Sequence, residues 1–138
     1  MDGILLIDKP TGWTSFDVVA KVRGVLSKEA GHKVKVGHSG TLDPFATGLL
    51  VLLIGKYTKK SDEFLKLNKT YEATLTLGKT STTGDPEGDI VEYRRSKNEN
   101  LPLIPRQKEI ISTLNTFFGQ ITQTPPIFSA IKIGGERA

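Results

Sequence analysis

A single carboxylate, Asp43, lies among glycines and a proline and is followed at once by the apolar run 48–55. A carboxylate beside a buried strand is costly to keep ionised, because desolvation favours the neutral acid. Pro44 disfavours helical geometry at Asp43 and removes one backbone donor directly after it. An aspartate held on a stiff loop can serve as a nucleophile or a base, and it can equally form an ordinary Asx turn. These local features leave both interpretations open.

Glycines on both sides of Asp43 are expected to shape its loop. Gly37, Gly40 and Gly48 lack a Cβ atom, so the backbone can bend sharply there or approach a ligand closely. Further upstream, the sequence KPTGWTS follows a predicted strand, and its Lys9 is expected to shape the loop under the site. The loop around Asp43 is therefore predicted to hold one carboxylate still.

Two further side chains, His38 and Tyr71, have ordinary structural roles on the evidence of the residues alone. Tyr71 stands at the start of an alternating segment, where sheet packing is a commoner use of a tyrosine than a stacking platform. His38 lies beside glycines, where a simple turn residue is the commoner role. The residues by themselves assign a function to neither side chain.

A metal site is not expected from the composition. The chain has no cysteine and two histidines, and the acidic residues of GDPEGD (84–89) lack the spacing of an EF-hand. A solvated turn is the expected role of that segment. The absence of cysteine also excludes disulfides and thiolate catalysis.

The positive charge is concentrated in the first half of the chain. Residues 1–70 hold 11 Lys and Arg against 7 Asp and Glu, whereas residues 71–138 hold 8 of each, and the net charge is +4. Basic groups on both sides of the Asp43 stretch suit a polyanion such as RNA, with a solvated lysine-rich surface as the alternative. The candidate contacts to an RNA backbone are Lys33, Lys35, Lys56, Lys59 and Lys60.

The hydrophobic pattern predicts an α+β fold, with a mixed, mainly antiparallel sheet and flanking helices. It contains no regular alternation of strand and helix. The predicted elements are a buried strand over 3–8, a helix over 16–27 capped by Ser15, a strand over 48–55, a short helix near 56–66, strands over 70–78 and 90–94, and a helix with Pro105 in its first turn.

Length and composition predict a single cytoplasmic domain. The chain of 138 residues can bury a core, and no linker composition divides it. No segment reaches the roughly 18 apolar residues of a membrane span, and no basic leader precedes the first apolar run.

Four segments carry a resemblance to one known family. The stretch KVGHSGTLDPFATGLLVLLIG (35–55) is similar to the motif G-H-x-G-T-L-D-P-x-A-T-G-L-L. Around it lie GILLIDKPTGWTSFDVV (3–19), KTYEATLTLGKTSTTGDPEGDIV (69–91) and PPIFSAIKIGGERA (125–138), in the same order as the family's other motifs. The chain thus resembles the TruB family, the tRNA pseudouridine-55 synthases, over nearly its whole length.

This resemblance implies roles for three residues. Asp43 corresponds to the catalytic aspartate, which attacks the uridine or its sugar while the base detaches, rotates and reattaches through C5. Tyr71 corresponds to a tyrosine that stacks on the flipped base, and His38 to a histidine that fills the space vacated in the T-loop. Such an isomerisation needs no redox agent and no metal, so no cofactor is expected. The implied partner is the T-loop and stem of tRNA.

The resemblance also implies that residues 1–138 form the N-terminal part of a pseudouridine synthase catalytic domain, incomplete at the C-terminus and without the PUA domain. Family members continue into strands with a G-T-Y-I-R motif, whose arginine pairs with the catalytic aspartate. We therefore expect the isolated chain to be a poor enzyme and to self-associate through an unpaired sheet edge. The alternative function is a catalytically incomplete tRNA-binding or tRNA-folding module.

Overall fold

A computed structural model describes residues 1–92 and 104–124, together with the backbone of 132–133 and 136–137. The chain forms two compact units, Met1–Tyr71 and Glu72–Ala138. No change in composition marks the boundary between them. The predicted strand residues 93–94 lie outside the described residues, as does most of the loop and strand that the segment TPPIFSAIKIGG (124–135) predicts.

A three-stranded antiparallel sheet forms the centre of the first unit. Its spatial order is β1-β3-β2, and the strands are β1 (Gly3–Lys9), β2 (Val36–His38) and β3 (Gly48–Ile54). The register pairs Gly3 with Ile54 and Lys9 with Gly48, so the β1–β3 ladder runs the full length of both strands. The predicted antiparallel sheet with flanking helices is confirmed.

One long helix, α1 (Ser15–Ala30), follows β1. The prediction that Ser15 caps this helix is wrong, because Thr14 is the N-cap. Thr14 Oγ1 accepts a hydrogen bond from the Asp17 backbone N–H (3.0 Å), and the Asp17 carboxylate accepts one from the Thr14 N–H (2.9 Å). The helix runs three residues beyond the predicted end and stops before Gly31, whose φ of 68° is left-handed.

The core of the first unit lies between α1 and one face of the sheet. Val18 and Val19 of α1 pack against Leu50 and Leu52 of β3. Half-buried apolar side chains surround this centre: Leu5, Ile7, Val22, Val36 and Leu42. Strand β1 alternates between half-buried and exposed side chains and is therefore not the fully buried strand predicted from its composition.

The connection after β3 follows the prediction, but the next segment does not. A 3₁₀ turn (Gly55–Lys60) and the short helix α2 (Ser61–Leu65) occupy the region where a short helix was predicted. The predicted strand over 70–78 is wrong, since those residues have no regular structure. Nearly all of them are exposed. Among the described residues no strand pairs with this segment, so its alternating apolar side chains do not pack on a sheet.

The second unit contains short elements. A hairpin joins β4 (Lys79–Ser81) to β5 (Ile90–Glu92), with the GDPEGD segment as the predicted turn, and the other elements are α3 (Gln107–Asn115), β6 (Lys132–Ile133) and β7 (Glu136–Arg137). Pro105 precedes the N-cap residue Arg106 and so lies outside the helix turn predicted for it. Within the described residues, no helix is long and apolar enough to cross a bilayer.

Candidate active site

The Asp43 carboxylate is free in this structure. Asp43 is exposed, and its side chain makes no hydrogen bond or ion pair with the described residues. The turn is closed by the backbone instead, since the Ala46 N–H donates to the Asp43 carbonyl oxygen at 3.1 Å. The Asx-turn alternative needs a bonded carboxylate and is therefore not observed. The expected burial of this acid is also not observed, because the loop carries Asp43 outward before β3 enters the core.

Two glycines set the course of this loop, which spans residues 39–47. Gly40 has φ of 123° and Gly48 has φ of 115°, values that side chains with a Cβ rarely adopt. Gly37 lies inside β2 without a positive φ, so the expectation of a sharp bend holds for Gly40 and Gly48 but not for Gly37. The two bends bracket the exposed carboxylate.

The residue before Asp43 is held by a side chain of α1. Ser15 Oγ donates to the Leu42 carbonyl oxygen (3.1 Å) and accepts from the Leu42 N–H (2.9 Å). Ser15 is 2% exposed, so both bonds are shielded from water. One hydroxyl thereby satisfies both backbone polar groups of Leu42.

The residues after Asp43 are held by the segment between β1 and α1. The Gly12 N–H donates to the Pro44 carbonyl oxygen at 2.7 Å, and Thr11 Oγ1 donates to the Phe45 carbonyl oxygen at 3.2 Å. The buried Lys9 also donates to Pro44, in agreement with its expected place under the site. The backbone around Asp43 is thus braced on both sides.

His38 and the segment leading to Tyr71 both lie near the beginning of the loop. His38 ends β2, and its Nδ1 atom is buried without a hydrogen-bond partner among the described residues. A Cβ atom at Gly40 would lie 3.9 Å from the Lys69 Cε, so this lysine passes beside the loop. Tyr71 follows two residues later and is 69% exposed. The tyrosine therefore does not pack in a sheet, the commoner role considered for it.

The candidate lysines gather at the other end of the sheet. Lys33, Lys35, Lys56 and Lys59 line a shallow cavity of about 340 Å³, together with His32 and Asp2. The cavity lies where β2 begins and β3 ends, because the Gly55 N–H donates to the Lys35 carbonyl oxygen. At roughly 3.3 Å per residue, β3 separates this end from the Asp43 loop by about 20 Å. Lys60 does not line the cavity, and its Nζ lies 5.5 Å from the centre of the Tyr57 ring.

The bracing residues Ser15, Thr11 and Gly12 were missed by the sequence analysis. Their partners lie about 30 residues away, and no local pattern reports such a contact. The only sequence signal is a hydroxyl- and glycine-rich loop directly after a strand. Among the described residues, no group of His, Asp and Glu could hold a metal ion.

Comparison with known proteins identifies the family. Residues 27–138 match the family described as TruB family pseudouridylate synthase (N terminal domain). The α+β fold is accordingly that of the pseudouridylate synthase class. The chain belongs to the TruB family, so the resemblance carried by its sequence motifs is confirmed.

Three curated relatives are each named "tRNA pseudouridine synthase B". The protein from Clostridium kluyveri is 46% identical over 99% of this chain and 43% of its own length. Those from Opitutus terrae and Geobacillus kaustophilus are 44% and 42% identical, over 98% and 99% of this chain and 52% and 45% of their own lengths. The chain spans about half the length of the curated relatives it matches.

Proposed function

We propose that this chain carries the nucleophile of an enzyme that converts uridine to pseudouridine in the T-loop of tRNA. The observation that carries the proposal is the exposed carboxylate of Asp43, which bonds to none of the described residues, on a loop braced at Leu42 and Pro44. A nucleophile has to be free at its oxygen atoms and fixed in its backbone, and Asp43 meets both requirements. The family and the names of the relatives support the choice of reaction.

The proposed reaction is an isomerisation that Asp43 assists by attacking the uridine or its sugar. The glycosidic bond from N1 to the sugar breaks, the base rotates, a carbon–carbon bond forms from C5 to the same sugar carbon, and the bond to Asp43 breaks to release the carboxylate. C5 loses a proton and N1 gains one, so atoms and charge balance without a co-reactant. The chain's residues contact the base and supply the carboxylate.

His38 and Tyr71 are proposed to handle the base once it leaves its stack. Stacking on Tyr71 would offset roughly 1–3 kcal/mol of the unstacking cost, and the exposed ring is accessible for it. His38 is proposed to fill the vacated space in the T-loop. Its place at the end of β2, directly before the Asp43 loop, and its half-buried side chain support this role.

The basic cavity at the far end of β3 is proposed to bind tRNA phosphates. Lys33, Lys35, Lys56 and Lys59 surround it, and the acidic Asp2 is the exception in its lining. About 20 Å separates it from the Asp43 loop, so it would contact a different stretch of RNA from the one that holds the reacting uridine. Lys60 is proposed as a peripheral contact. We also propose a cytoplasmic location, since a tRNA substrate is present there.

The central test is the replacement Asp43→Asn. It is made in the chain alone and in the chain joined to the C-terminal part of the Clostridium kluyveri relative. We expect pseudouridine formation on a T-arm hairpin, detected by mass-shift labelling, to be abolished while hairpin affinity stays within about twofold, because an amide keeps the shape but cannot attack. Asp62→Asn, which changes an exposed aspartate in α2, is the matched control.

Two outcomes would contradict the proposal. Substantial turnover by Asp43→Asn would remove the assignment of the nucleophile. Tight hairpin binding without turnover by either wild-type protein would favour the tRNA-binding or tRNA-folding module. His38→Ala serves as a further probe, and we expect it to slow turnover while changing the salt dependence of binding less than lysine variants do.

A further inference from the structure

The buried Ser15 hydroxyl makes two hydrogen bonds to the backbone of one distant residue. It belongs to the first turn of α1, yet its Oγ atom both donates to and accepts from Leu42, 27 residues away. Asp43 follows Leu42 directly. We infer that Ser15 is a positioning residue for Asp43, which fixes the peptide unit in front of the nucleophile; this inference rests on the function proposed for Asp43.

The first argument is that Asp43 has no other means of orientation. Its carboxylate makes no hydrogen bond or ion pair with the described residues, so the position from which the side chain extends is set by the backbone alone. Any rotation of the peptide between Leu42 and Asp43 moves the carboxylate with it. A displacement of about 1 Å is enough to lower a rate by roughly 100-fold.

The second argument is that the anchor is rigid. Ser15 is 2% exposed, and the next turn of α1 places Val18 and Val19 in the core. Leu42 itself packs against the same core. The hydroxyl therefore connects the loop to the best-packed part of the first unit.

The third argument is chemical. A hydroxyl is the smallest side chain that can donate to a carbonyl and accept from an N–H at one atom. Alanine at this position would leave both polar groups of Leu42 without partners in a site closed to water. The expected result of Ser15→Ala is a loop with the same fold but a mobile peptide before Asp43.

Ser27 provides a matched control within the same helix. Its Oγ accepts a hydrogen bond from the Val34 N–H at 3.0 Å, so Ser27→Ala also removes a serine contact to the backbone. The contact lies near the C-terminal end of α1 and has no connection to the Asp43 loop. Ser15→Thr, which keeps the hydroxyl, is the conservative variant.

The experiment measures structure and turnover separately. In Ser15→Ala we expect amide exchange at Leu42 to rise at least tenfold, and the residual dipolar coupling of the Asp43 N–H bond to change. We expect kcat for the T-arm hairpin to fall roughly 10- to 100-fold with affinity within about twofold, and Ser15→Thr to recover most of it. Ser27→Ala should raise exchange at Val34 and leave the Asp43 coupling and kcat unchanged.

The outcomes separate the inference from the proposed function. Unchanged Leu42 exchange and an unchanged Asp43 coupling in Ser15→Ala would overturn the positioning role, as would a changed coupling with turnover equal to that of Ser27→Ala. Absence of turnover in the wild-type joined protein would count against the proposed function. In that case the Leu42 and Asp43 measurements still decide whether Ser15 fixes this peptide.

Discussion

The Lys9 Nζ atom lies 3.3 Å from the carbonyl oxygen of Pro44, the residue that follows Asp43. The same ammonium donates to the carbonyl oxygens of Trp13 (2.7 Å) and Pro10 (3.0 Å), so each of its three hydrogens has an acceptor. Lys9 is 0% exposed. A buried positive charge thus connects the end of β1 to the loop of the candidate nucleophile through backbone dipoles.

Removing this charge should destabilise the first unit. Lys9→Met keeps the length of the side chain but leaves three carbonyl groups without their donor, at an expected cost of roughly 2–4 kcal/mol. Urea unfolding followed by the fluorescence of Trp13, the one tryptophan, measures it. Lys21→Met, at an exposed position of α1, is the control and should change stability by less than about 0.5 kcal/mol. Equal effects of the two variants would contradict the structural role of Lys9.

The basic cavity predicts a difference between long and short RNA. Lys33→Gln with Lys56→Gln should weaken binding of intact tRNA and reduce its salt slope by about one unit per lost phosphate contact. A short T-arm hairpin, bound at the Asp43 loop about 20 Å away, should show a smaller change. The control pair Lys21→Gln with Lys108→Gln removes the same charge. Identical slopes for both pairs on tRNA would favour a solvated surface.

The capping pair of α1 predicts an acid-sensitive contribution to stability. The hydrogen bond from the Thr14 hydroxyl, with a second from the Thr14 N–H, lowers the pKa of Asp17 below its ordinary value of 3.8. A lowered pKa in the folded state gives stability that is complete above about pH 4 and is lost as the pH falls through the folded value.

Thermal unfolding between about pH 2 and pH 6 tests this contribution. Asp17→Asn should lower the thermal unfolding midpoint near neutral pH. The decrease of that midpoint on acidification should also be smaller than in wild type. The pKa of Asp85 is also lowered, chiefly by the Thr83 hydroxyl, so wild type and variant have to be compared rather than wild type judged alone. Glu29→Gln, at the other end of α1, is the control. The prediction fails if Asp17→Asn and wild type lose stability in parallel.

The outer edge of β1 predicts self-association. Within the unit Met1–Tyr71, β1 pairs with β3 on one side and with no described strand on the other. Its Ile4 and Leu6 are also exposed, so a second copy could add a strand there. Sedimentation velocity at rising concentration should show dimers that Leu6→Lys reduces, whereas Leu65→Lys, an exposed leucine in α2, should not. Dimers equally stable in both variants would place the contact elsewhere.

Local sequence patterns were enough to predict most of the first unit and the hairpin turn of the second. The apolar run of β3, the helical spacing of the valines in α1 and the turn of the hairpin are short-range signals, and each element formed where it was expected. The four motifs likewise predicted the family. The errors are also informative: the segment 70–78 alternates like a strand, but a strand needs a neighbour, and sequence alternation does not say whether one is present.

The arrangement of the site depended on contacts over long sequence distances. Sequence singled out Asp43 as a candidate reactive group beside a buried strand, with basic residues on both sides of its stretch of the chain. The fold instead exposes Asp43, braces it through Ser15 and Lys9, and moves four of the lysines to the opposite end of β3. Residue types and local spacing determine which elements form and which side chains could react. Only the antiparallel register and the packing of α1 determine which distant side chains meet, because hydrogen bonds across about 30 residues leave no local pattern in the chain.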